Sequence, residues 1–250
     1  MPEFIAVIPA RYASTRLPAK ALADIEGTPM VVHVARRASE SGAREVWIAT
    51  DHDDIASAAK AHGFNAKMTS ASHASGTDRI AEVAKDWDPD TVVVNVQGDE
   101  PLIAPSLIVD VARALAGDAD IQMATACCPI TDWSDMQNPN IVKVVMDEKG
   151  RALYFGRGEI PYARDASRSE PVPEGLAHRH IGIYAYRAGF LETYSTLAPA
   201  PIERHEALEQ LRLLWHGYKI GVIRAAVPHA GVDTFEDLER VRHFFRGGKS

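Results

Sequence analysis

The first 130 residues alternate between short apolar runs and longer amphipathic segments, and this alternation limits the fold more than any other feature of the sequence. Short, continuous apolar runs are typical of strands that are buried on both faces of a sheet. A repeated strand–helix–strand order favours right-handed crossovers, which place helices on both faces of a parallel sheet. The sequence therefore predicts an α/β fold with a Rossmann-like, mostly parallel sheet flanked by helices.

The predicted strands of this part are buried apolar runs, at Phe4–Pro9, Val46–Ala49, Asn65–Met68, Thr91–Val96 and Ile121–Cys128. The predicted helices begin with capping residues or proline, at Thr28-Pro29, Asp53-Asp54, Thr77-Asp78 and Pro105-Ser106. In the first of them Thr28 is predicted as the N-cap and Pro29 as the first helical residue.

The regular alternation of predicted strands and helices ends after about residue 130. The next predicted elements are a hairpin, a strand, a helix, a strand and a helix, at 141–155, Arg179–Tyr186, Ala207–Trp215, Lys219–Val227 and Phe235–Phe245. Asp165–Gly175 is polar and contains proline, so it is predicted to be a loop. No linker-like change in composition occurs, and we predict a single α/β domain over residues 1–250 with a mixed-sheet extension after about residue 130.

Charge and cysteine content limit the possible partners. Lys and Arg number 27 against 34 Asp and Glu, a net charge of −7 that disfavours binding to a nucleic-acid backbone but allows a local anion site. Cys127 and Cys128 are adjacent, which disfavours an ordinary disulfide and indicates a reducing, cytoplasmic setting. No apolar stretch reaches 18 residues, so no membrane partner is expected.

Basic and hydroxyl side chains follow the first predicted strand closely. Arg11, Arg16 and Lys20 lie there together with Ser14 and Thr15. Cations and small donors on one loop suit a polyanion such as a triphosphate. The glycines and the Lys-Ser/Thr pair of a P-loop are absent, and a solvated basic loop is the alternative.

Carboxylates follow other predicted strands. Asp99 comes after the strand at 91–96, on the sheet edge where ligands of open α/β sheets bind. It is placed to hold a magnesium ion, or to form a turn or helix cap. Asp233, before the last helix, is either an N-cap or a second metal carboxylate. For Asp51 we expect only turn chemistry.

Six motifs together resemble one family of enzymes. They are IPARYASTRLPAK at 8–20, SGTDR at 75–79, VNVQGDEP at 94–101, HIGIYAYR at 180–187, LEQLR at 208–212 and GVDTFEDLERV at 231–241. In this combination the chain resembles the 3-deoxy-manno-octulosonate cytidylyltransferases from about Phe4 to Phe245. The first and third motifs also occur, modified, in other sugar-nucleotide synthetases.

The resemblance implies a nucleotide-diphospho-sugar transferase-like fold and a specific reaction. CTP and 3-deoxy-D-manno-octulosonate (Kdo) would give CMP-Kdo and pyrophosphate with Mg²⁺, for lipopolysaccharide synthesis. It implies that residues 1–130 bind the nucleotide, and that residues 131–250 bind the sugar and form a homodimer. Two magnesium ions would lie about 4 Å apart at most.

The resemblance also assigns roles to individual residues. The implied catalytic residues are Arg11, Lys20, Asp99 and Asp233, of which the two aspartates are the metal ligands. The implied nucleotide-binding residues are Arg11, Ser14, Arg16, Lys20, Ser75 and Arg79. The implied sugar-binding residues are Gln97, His180, Tyr184, Glu209 and Gln210, with Arg157 and Arg164 as partners of the sugar carboxylate. Taken without the resemblance, structural roles are favoured for the first five of these sugar-binding residues.

Residue numbering and periodicity add expectations about individual side chains. Glu209 and Gln210 are predicted on one helix, where they diverge by about 100°, so only one of them need contact the sugar. Met30, Leu213 and Trp215 are predicted to lie in the core.

One stretch departs from the family pattern. Gly156-Arg157-Gly158-Glu159 stands where the family usually has Ser-Arg-small-Pro. Either Glu159 points away from the sugar, or the chain accepts a related acid sugar, such as 8-amino-Kdo or a sialic acid. A binding protein without activity is the remaining alternative. It is disfavoured because Lys20, Asp99 and Asp233 are all present.

Overall fold

A computed structural model of the chain describes residues 2–14, 17–73, 75–225 and 231–247. Its strands are β1 (Phe4–Ala10), β2 (Asp24–Ile25), β3 (Thr28–Pro29), β4 (Glu45–Thr50), β5 (Asn65–Met68), β6 (Val92–Asn95), β7 (Met123–Pro129), β8 (Lys143–Met146), β9 (Ala152–Gly156), β10 (His178–Arg187) and β11 (Ile220–Arg224). Its α-helices are α1 (Met30–Glu40), α2 (Asp53–Ala61), α3 (Gly76–Ala84), α4 (Pro105–Gly117), α5 (Trp133–Gln137), α6 (Ala188–Thr196), α7 (Pro201–Glu206), α8 (Leu211–Trp215) and α9 (Phe235–Phe245). A short 3₁₀ helix spans Lys20–Leu22.

The central sheet has the strand order β11-β7-β10-β6-β1-β4-β5. β1 pairs in parallel with β4 and β6, β4 with β5, and β7 with β11, which confirms the prediction of a mostly parallel sheet. β10 runs antiparallel between β6 and β7. The sheet predicted for the first 130 residues therefore contains a strand from much later in the chain, which the sequence pattern did not indicate.

Alternate residues of β1 enter two hydrophobic cores. Ala6 and Ile8 pack on the face covered by α1, α2 and α4, whereas Ile5 and Val7 pack on the face covered by α3, α6 and α8. Because both faces are buried, the strand is apolar throughout. The parallel strands end at one edge of the sheet, where their following loops meet.

The predicted starts of two helices need correction. α1 begins at Met30 with Pro29 as its N-cap, and Thr28 pairs with Ile25 in the small β2–β3 hairpin instead of capping the helix. α2 is capped by His52, whose Nδ1 accepts a hydrogen bond from the Asp54 backbone N–H at 3.2 Å. The turn chemistry was recognised at the right places, but the capping residues were misassigned.

The predicted helix from Ala207 to Trp215 is present only over its second half, Leu211–Trp215. α7 ends at Glu206, Ala207 adopts a left-handed conformation with φ of 51°, and α8 begins only at Leu211. The prediction missed α5, α6 and α7. Met30 and Leu213 are buried as predicted, but Trp215 is 55% exposed.

The predicted hairpin and the unpaired state of the two cysteines are confirmed. β8 and β9 form the predicted antiparallel hairpin, and β10 joins it to the central sheet. Cys127 and Cys128 are both free and buried, and burial raises the pKa of the Cys127 thiol to about 12. Within the described ranges, no helix has the length and apolarity needed to cross a bilayer.

Candidate active site

A cleft with two adjoining lobes opens at the carboxyl ends of β1 and β6. The charged lobe has a volume of about 330 Å³ and the aromatic lobe about 470 Å³. The two lobes share five lining residues, Gly76, Gln97, Asp99, Glu209 and Asp233. The described residues that set the charged lobe apart include Arg11, Ser14, Lys20, Ser75 and Arg79. Those that set the aromatic lobe apart include Arg157, Tyr184, Tyr186, Tyr194 and Gln210.

Side chains of the loop after β1 line the charged lobe. Arg11 is exposed at the lobe and Ser14 lines it beside Arg11. Arg16, predicted to assist them, lies outside the described residues, as does Thr15. The Arg11 guanidinium and the Ser14 hydroxyl therefore line a cavity that is large enough for a triphosphate.

Lys20 lies at the centre of the cluster that joins the two lobes. Its Nζ donates to Asp99 Oδ2 at 2.6 Å, to Asp233 Oδ1 at 3.3 Å and to the Val232 carbonyl at 3.0 Å. The preceding Ala19 is left-handed with φ of 50°, and this turn directs Lys20 back into the cleft. One ammonium group therefore balances two carboxylates that come from distant parts of the chain.

Asp233 is held beside Asp99 by backbone contacts. The Val232 N–H donates to the Asp99 carbonyl at 2.8 Å. The N-cap of α9 is Thr234, whose hydroxyl accepts from the Asp237 N–H at 3.2 Å, so the interpretation of Asp233 as the cap is wrong. The Asp233 carboxylate instead lines both lobes of the cleft.

The pair of carboxylates fits a magnesium ion. Asp99 and Asp233 both approach Lys20 Nζ within 3.3 Å, so they converge on a small volume that already accommodates positive charge. Within the part of the chain that the structure describes, no third His, Cys, Asp or Glu completes a metal cluster. Mg²⁺ is commonly held by one or two carboxylates together with substrate phosphates and water, so two are sufficient.

Gly98 allows the Asp99 loop to approach β1. A Cβ atom on Gly98 would lie 2.9 Å from the Pro9 carbonyl oxygen, closer than such atoms approach in proteins. Any larger residue at 98 would push Asp99 away from the loop that carries Lys20. Sequence reasoning missed this role, although Gly98 lies inside the VNVQGDEP motif.

Arg79 and Asp51 form an ion pair that connects the charged lobe to the loop after β1. Arg79 is 4% exposed, and its Nη2 donates to Asp51 Oδ2 at 3.2 Å. Asp51 Oδ1 in turn accepts from the Tyr12 backbone N–H at 3.0 Å. The expectation of mere turn chemistry for Asp51 is therefore wrong. Ser75 lines the lobe and caps α3 by accepting from the Asp78 N–H at 3.0 Å.

The aromatic lobe is lined by three tyrosines. Tyr184 and Tyr186 project from β10, and Tyr194 from α6. Burial raises the pKa of all three hydroxyls, so they are neutral donors. Tyr186 and Tyr194 were not predicted. Tyr186 shares a strand face with Tyr184 in the HIGIYAYR motif, which was the available signal, whereas α6 had not been recognised.

Two buried polar atoms of the aromatic lobe lack a hydrogen-bond partner among the described residues. They are the Tyr194 hydroxyl and the Gln210 Nε2. Burying such groups unpaired costs about 1–3 kcal/mol each, so a polar ligand in this lobe would recover that cost. Gln210 is a predicted sugar-binding residue and Tyr194 is a new candidate.

Glu209 and Gln210 lie in the turn before α8, not on a helix. Both line the aromatic lobe, so the expectation that only one need reach the ligand is not supported by the geometry. Thr77 Oγ1 donates to Glu209 Oε2 at 3.4 Å. Desolvation within the cleft, with repulsion from Asp78, raises the pKa of Glu209 to about 7.

His180 supports the lobe from behind instead of lining it. Its Nε2 is 3.0 Å from Thr125 Oγ1, and its ring centroid lies 4.9 Å from that of Phe155 and 5.6 Å from that of Tyr184. Burial lowers the pKa of His180 to about 3, so the ring is neutral. Gln97, by contrast, lines both lobes, and its amide donates to Asn95 Oδ1 at 3.2 Å.

The two arginines predicted to meet the sugar carboxylate are placed differently. Arg157 lines the aromatic lobe, whereas Arg164 is 89% exposed and lines neither lobe. Glu159 forms an ion pair with Arg168, which lies over the Trp133 ring at 3.8 Å from its centroid. Of the two alternatives for Glu159, the structure supports the one in which it points away from the cleft.

Comparison with known proteins agrees with this geometry. The profile of the cytidylyltransferase family matches residues 5–220. The structure of a CMP:2-keto-3-deoxy-manno-octonic acid synthetase complexed with CTP is 41% identical, with a TM-score of 0.91 over 98% of this chain and 99% of that one. A cytidylyltransferase from Leptospira borgpetersenii is 18% identical, with a TM-score of 0.62 over 100% of this chain and 89% of that one.

A more distant structure has the same fold. The 4-diphosphocytidyl-2C-methyl-D-erythritol synthase from Anaerococcus prevotii is 13% identical, with a TM-score of 0.61 over 98% of this chain and 99% of that one. At this identity, and at that of the Leptospira protein, the likeness concerns the fold alone.

Proposed function

The chain belongs to the cytidylyltransferase family, and on that premise we propose that it converts CTP and Kdo to CMP-Kdo and pyrophosphate. The observation that carries this proposal is the cluster of Lys20, Asp99 and Asp233 at the junction of the two lobes. The α-phosphate of CTP, which is transferred to the sugar, must lie where the nucleotide site and the sugar site meet. The charged lobe takes the triphosphate of CTP and the aromatic lobe takes the acid sugar.

The reaction is a displacement at the α-phosphorus of CTP. The anomeric oxygen of Kdo forms the new P–O bond and loses its proton to the medium, while the bond to the β-phosphate breaks and pyrophosphate leaves. Asp99 and Asp233 would hold magnesium, which neutralises phosphate charge and polarises the reacting oxygens when bound. The remaining contribution of the protein is positioning and charge stabilisation.

Residues of the charged lobe orient the nucleotide. Arg11, Ser14 and Lys20 supply positive charge and donors for the triphosphate, and stabilise charge that develops on the leaving pyrophosphate. The family resemblance implies the same role for Arg16, which lies outside the described residues. Ser75 lies beside the nucleotide at the start of α3. Arg79 is tied to Asp51, so we assign it to shaping the lobe floor.

Residues of the aromatic lobe bind the sugar. Arg157 is the cationic side chain that lines this lobe among the described residues, and its three guanidinium nitrogens each donate once to a backbone carbonyl. Arginine has five N–H donors, so two remain for the carboxylate of Kdo. The sugar hydroxyls would meet side chains on both sides of the lobe, namely Gln97, Tyr184, Tyr194, Glu209 and Gln210. His180 holds Tyr184 in place.

We also propose a cellular setting and an assembly. CMP-Kdo would feed a reaction that transfers the sugar to lipopolysaccharide in a Gram-negative bacterium, and two free, buried cysteines are consistent with the cytoplasm. The later part of the chain exposes large apolar side chains, of which Leu153 is 63% and Trp215 55% exposed. We place a homodimer interface there. L153E should lower the mass measured by light scattering from dimer to monomer, and an unchanged mass would contradict this placement.

Pyrophosphate release tests the proposed reaction directly. Purified protein with magnesium would be given each of the four nucleoside triphosphates with Kdo, 8-amino-Kdo or sialic acid. We expect release with CTP and Kdo, since Glu159 is turned away from the lobe. Release with CTP and a different acid sugar would retain the mechanism and change the substrate. No release with any pair from folded protein would overturn the proposed function.

A further inference from the structure

Lys143 is a buried lysine outside the cleft. Its side chain is fully buried on β8, and its Nζ donates to the carbonyl oxygens of Asn138 at 2.8 Å, Ile141 at 2.7 Å and Arg157 at 2.7 Å. No carboxylate of the described chain lies within salt-bridge distance of it. Burial lowers the pKa of this ammonium group, the usual consequence of desolvating a charge.

Full burial of Lys143 is unusual, because lysine is almost never fully buried unless it is paired. All three protons of the ammonium group are used, and each is used on a backbone carbonyl. Two of these carbonyls precede β8, and the third follows β9. Lys143 therefore fastens the two open ends of the hairpin to each other at Arg157.

Arg157 is in turn fastened to α7 through Glu206. The Arg157 backbone N–H donates to Glu206 Oε2 at 2.8 Å, and Arg157 Nε donates to the Glu206 carbonyl at 2.6 Å. A Cβ at the adjacent Gly156 would be in ordinary contact with Glu206 Oε1, at 3.5 Å, and in tight contact with Ile160 Cδ1, at 3.1 Å. The departure from the family pattern at Gly156 thus lies directly beside the residue whose backbone Glu206 holds.

The same contacts reach the turn that carries the sugar-lobe residues. Arg157 Nη2 donates to the carbonyl of Ala207 at 3.4 Å. Ala207 is the left-handed residue that ends α7 and redirects the chain toward Glu209 and Gln210. A displacement of Arg157 would therefore move a cation of the lobe and loosen the turn on its opposite side.

We propose that Lys143 and Glu206 are positioning residues that hold Arg157 and the Ala207–Gln210 turn around the acid sugar. The proposal rests on the proposed function. We refer to Lys143, Arg157, Glu206 and the Ala207–Gln210 turn as the frame of the sugar site. The hydrogen bonds that join Lys143, Arg157 and Glu206 do not involve Lys20 or Asp99. The frame is therefore expected to act mainly on the sugar, since Glu209 is the residue of its turn that also lines the charged lobe.

The experiment is a comparison of two Michaelis constants. K143M keeps the length and apolar stem of the side chain and removes its three donors. We expect the KM for Kdo to rise by about 10-fold or more, the effect of losing a charge-assisted hydrogen bond at the site, with the KM for CTP within about twofold of wild type. K149M, in the exposed turn of the same hairpin, is the matched control and should leave both constants unchanged.

E206A provides a second, independent variant in case K143M does not fold. Glu206 is only half-buried, and E206A should also raise the KM for Kdo selectively. Equal losses for both substrates, or no change in the KM for Kdo in either soluble variant, would overturn the inference. Wild-type protein that releases no pyrophosphate from CTP and Kdo would instead overturn the proposed function, so the two failures are distinguishable.

Discussion

The charged lobe and the aromatic lobe are built in opposite ways. The charged lobe consists largely of loops that directly follow strands of the first part of the chain, and its charged groups at the cleft, Arg11, Lys20 and Asp99, are exposed or partly exposed. The aromatic lobe draws on β10, α6, the Arg157 loop and the turn before α8, and it contains the buried Tyr194 hydroxyl and Gln210 amide. The first lobe is suited to a common, highly charged substrate, and the second to a particular sugar.

The difference follows from how water competes with each lobe. A solvated cation is already hydrogen-bonded to water, so replacing that water by a phosphate oxygen gains little free energy and discriminates little between anionic partners. A buried hydroxyl or amide without a partner gains its hydrogen bond only from a ligand group at the right place. Sites of the second kind discriminate strongly between substrates that have or lack a hydroxyl.

The largest expected effect lies at the junction of the lobes. D99N should lower turnover by about 100-fold or more, because a bound metal ion contributes several kcal/mol to charge stabilisation. The melting temperature should remain close to wild type, since the side chain is partly exposed. Steady-state pyrophosphate release measures the first and calorimetry the second.

Asp90 provides the control for this variant, because it is an exposed aspartate close in the chain. D90N should behave as wild type. Near-normal turnover of D99N at ordinary magnesium concentrations would contradict the metal assignment.

The next effect tests the charged lobe alone. K20A should lower kcat/KM for CTP by roughly 10- to 150-fold, equivalent to ~1.5–3 kcal/mol for a charge-assisted contact. The KM for Kdo should change much less. K85A, at an exposed position at the end of α3, is the control. Unchanged CTP kinetics would mean that the first loop binds the triphosphate without Lys20.

A smaller effect tests the aromatic lobe alone. Y194F removes only the hydroxyl that has no partner among the described residues. It should lower kcat/KM for Kdo by about 2- to 12-fold, the equivalent of ~0.5–1.5 kcal/mol for a neutral hydrogen bond, and leave CTP unaffected. Y162F, at an exposed tyrosine, should change neither. A wild-type constant for Kdo in Y194F would remove Tyr194 from the sugar site.

The smallest effect concerns the shared carboxylate Glu209. Its pKa in the folded protein is about 7, raised from 4.5, so the folded state holds this proton more tightly than the unfolded chain. The free energy of unfolding therefore falls as the pH rises from about 4.5 through about 7. E209Q lacks this dependence, so its melting temperature should gain on that of wild type from about pH 5 to pH 8.

Two observations check the E209Q prediction. E192Q, at an exposed position on α6, should follow wild type across the same range. A difference between E209Q and wild type that stays constant with pH would mean that Glu209 titrates normally in the cleft.

The charged lobe was largely predictable because its residues follow strands with a clear apolar signal. Lys20 and Asp99 could be brought to one sheet edge from β1 and β6 alone. The contact with Asp233 could not, since it depends on a hydrogen bond between Val232 and Asp99, residues far apart in the chain. The sequence resemblance supplied this pairing.

The aromatic lobe was less predictable because local periodicity does not reveal how distant segments meet. His180 and Tyr184 lie four residues apart on one strand, yet only Tyr184 lines the cleft. Glu209 was expected on a helix, but a left-handed Ala207 ends that helix first. Neither outcome follows from propensity, since tertiary contacts decide which residues face the ligand and where the chain turns.

The insertion of β10 between β6 and β7 has a consequence for biosynthesis. During synthesis β6 and β7 leave the ribosome before β10, the strand that pairs with both. The edges of β6 and β7 that face β10 therefore stay unpaired until residue 187 has emerged. Strand pairs between segments far apart in the chain form slowly and leave aggregation-prone strand edges exposed. Nascent chains that stall between residues 130 and 178 should therefore be preferred clients of chaperones that bind extended apolar strands.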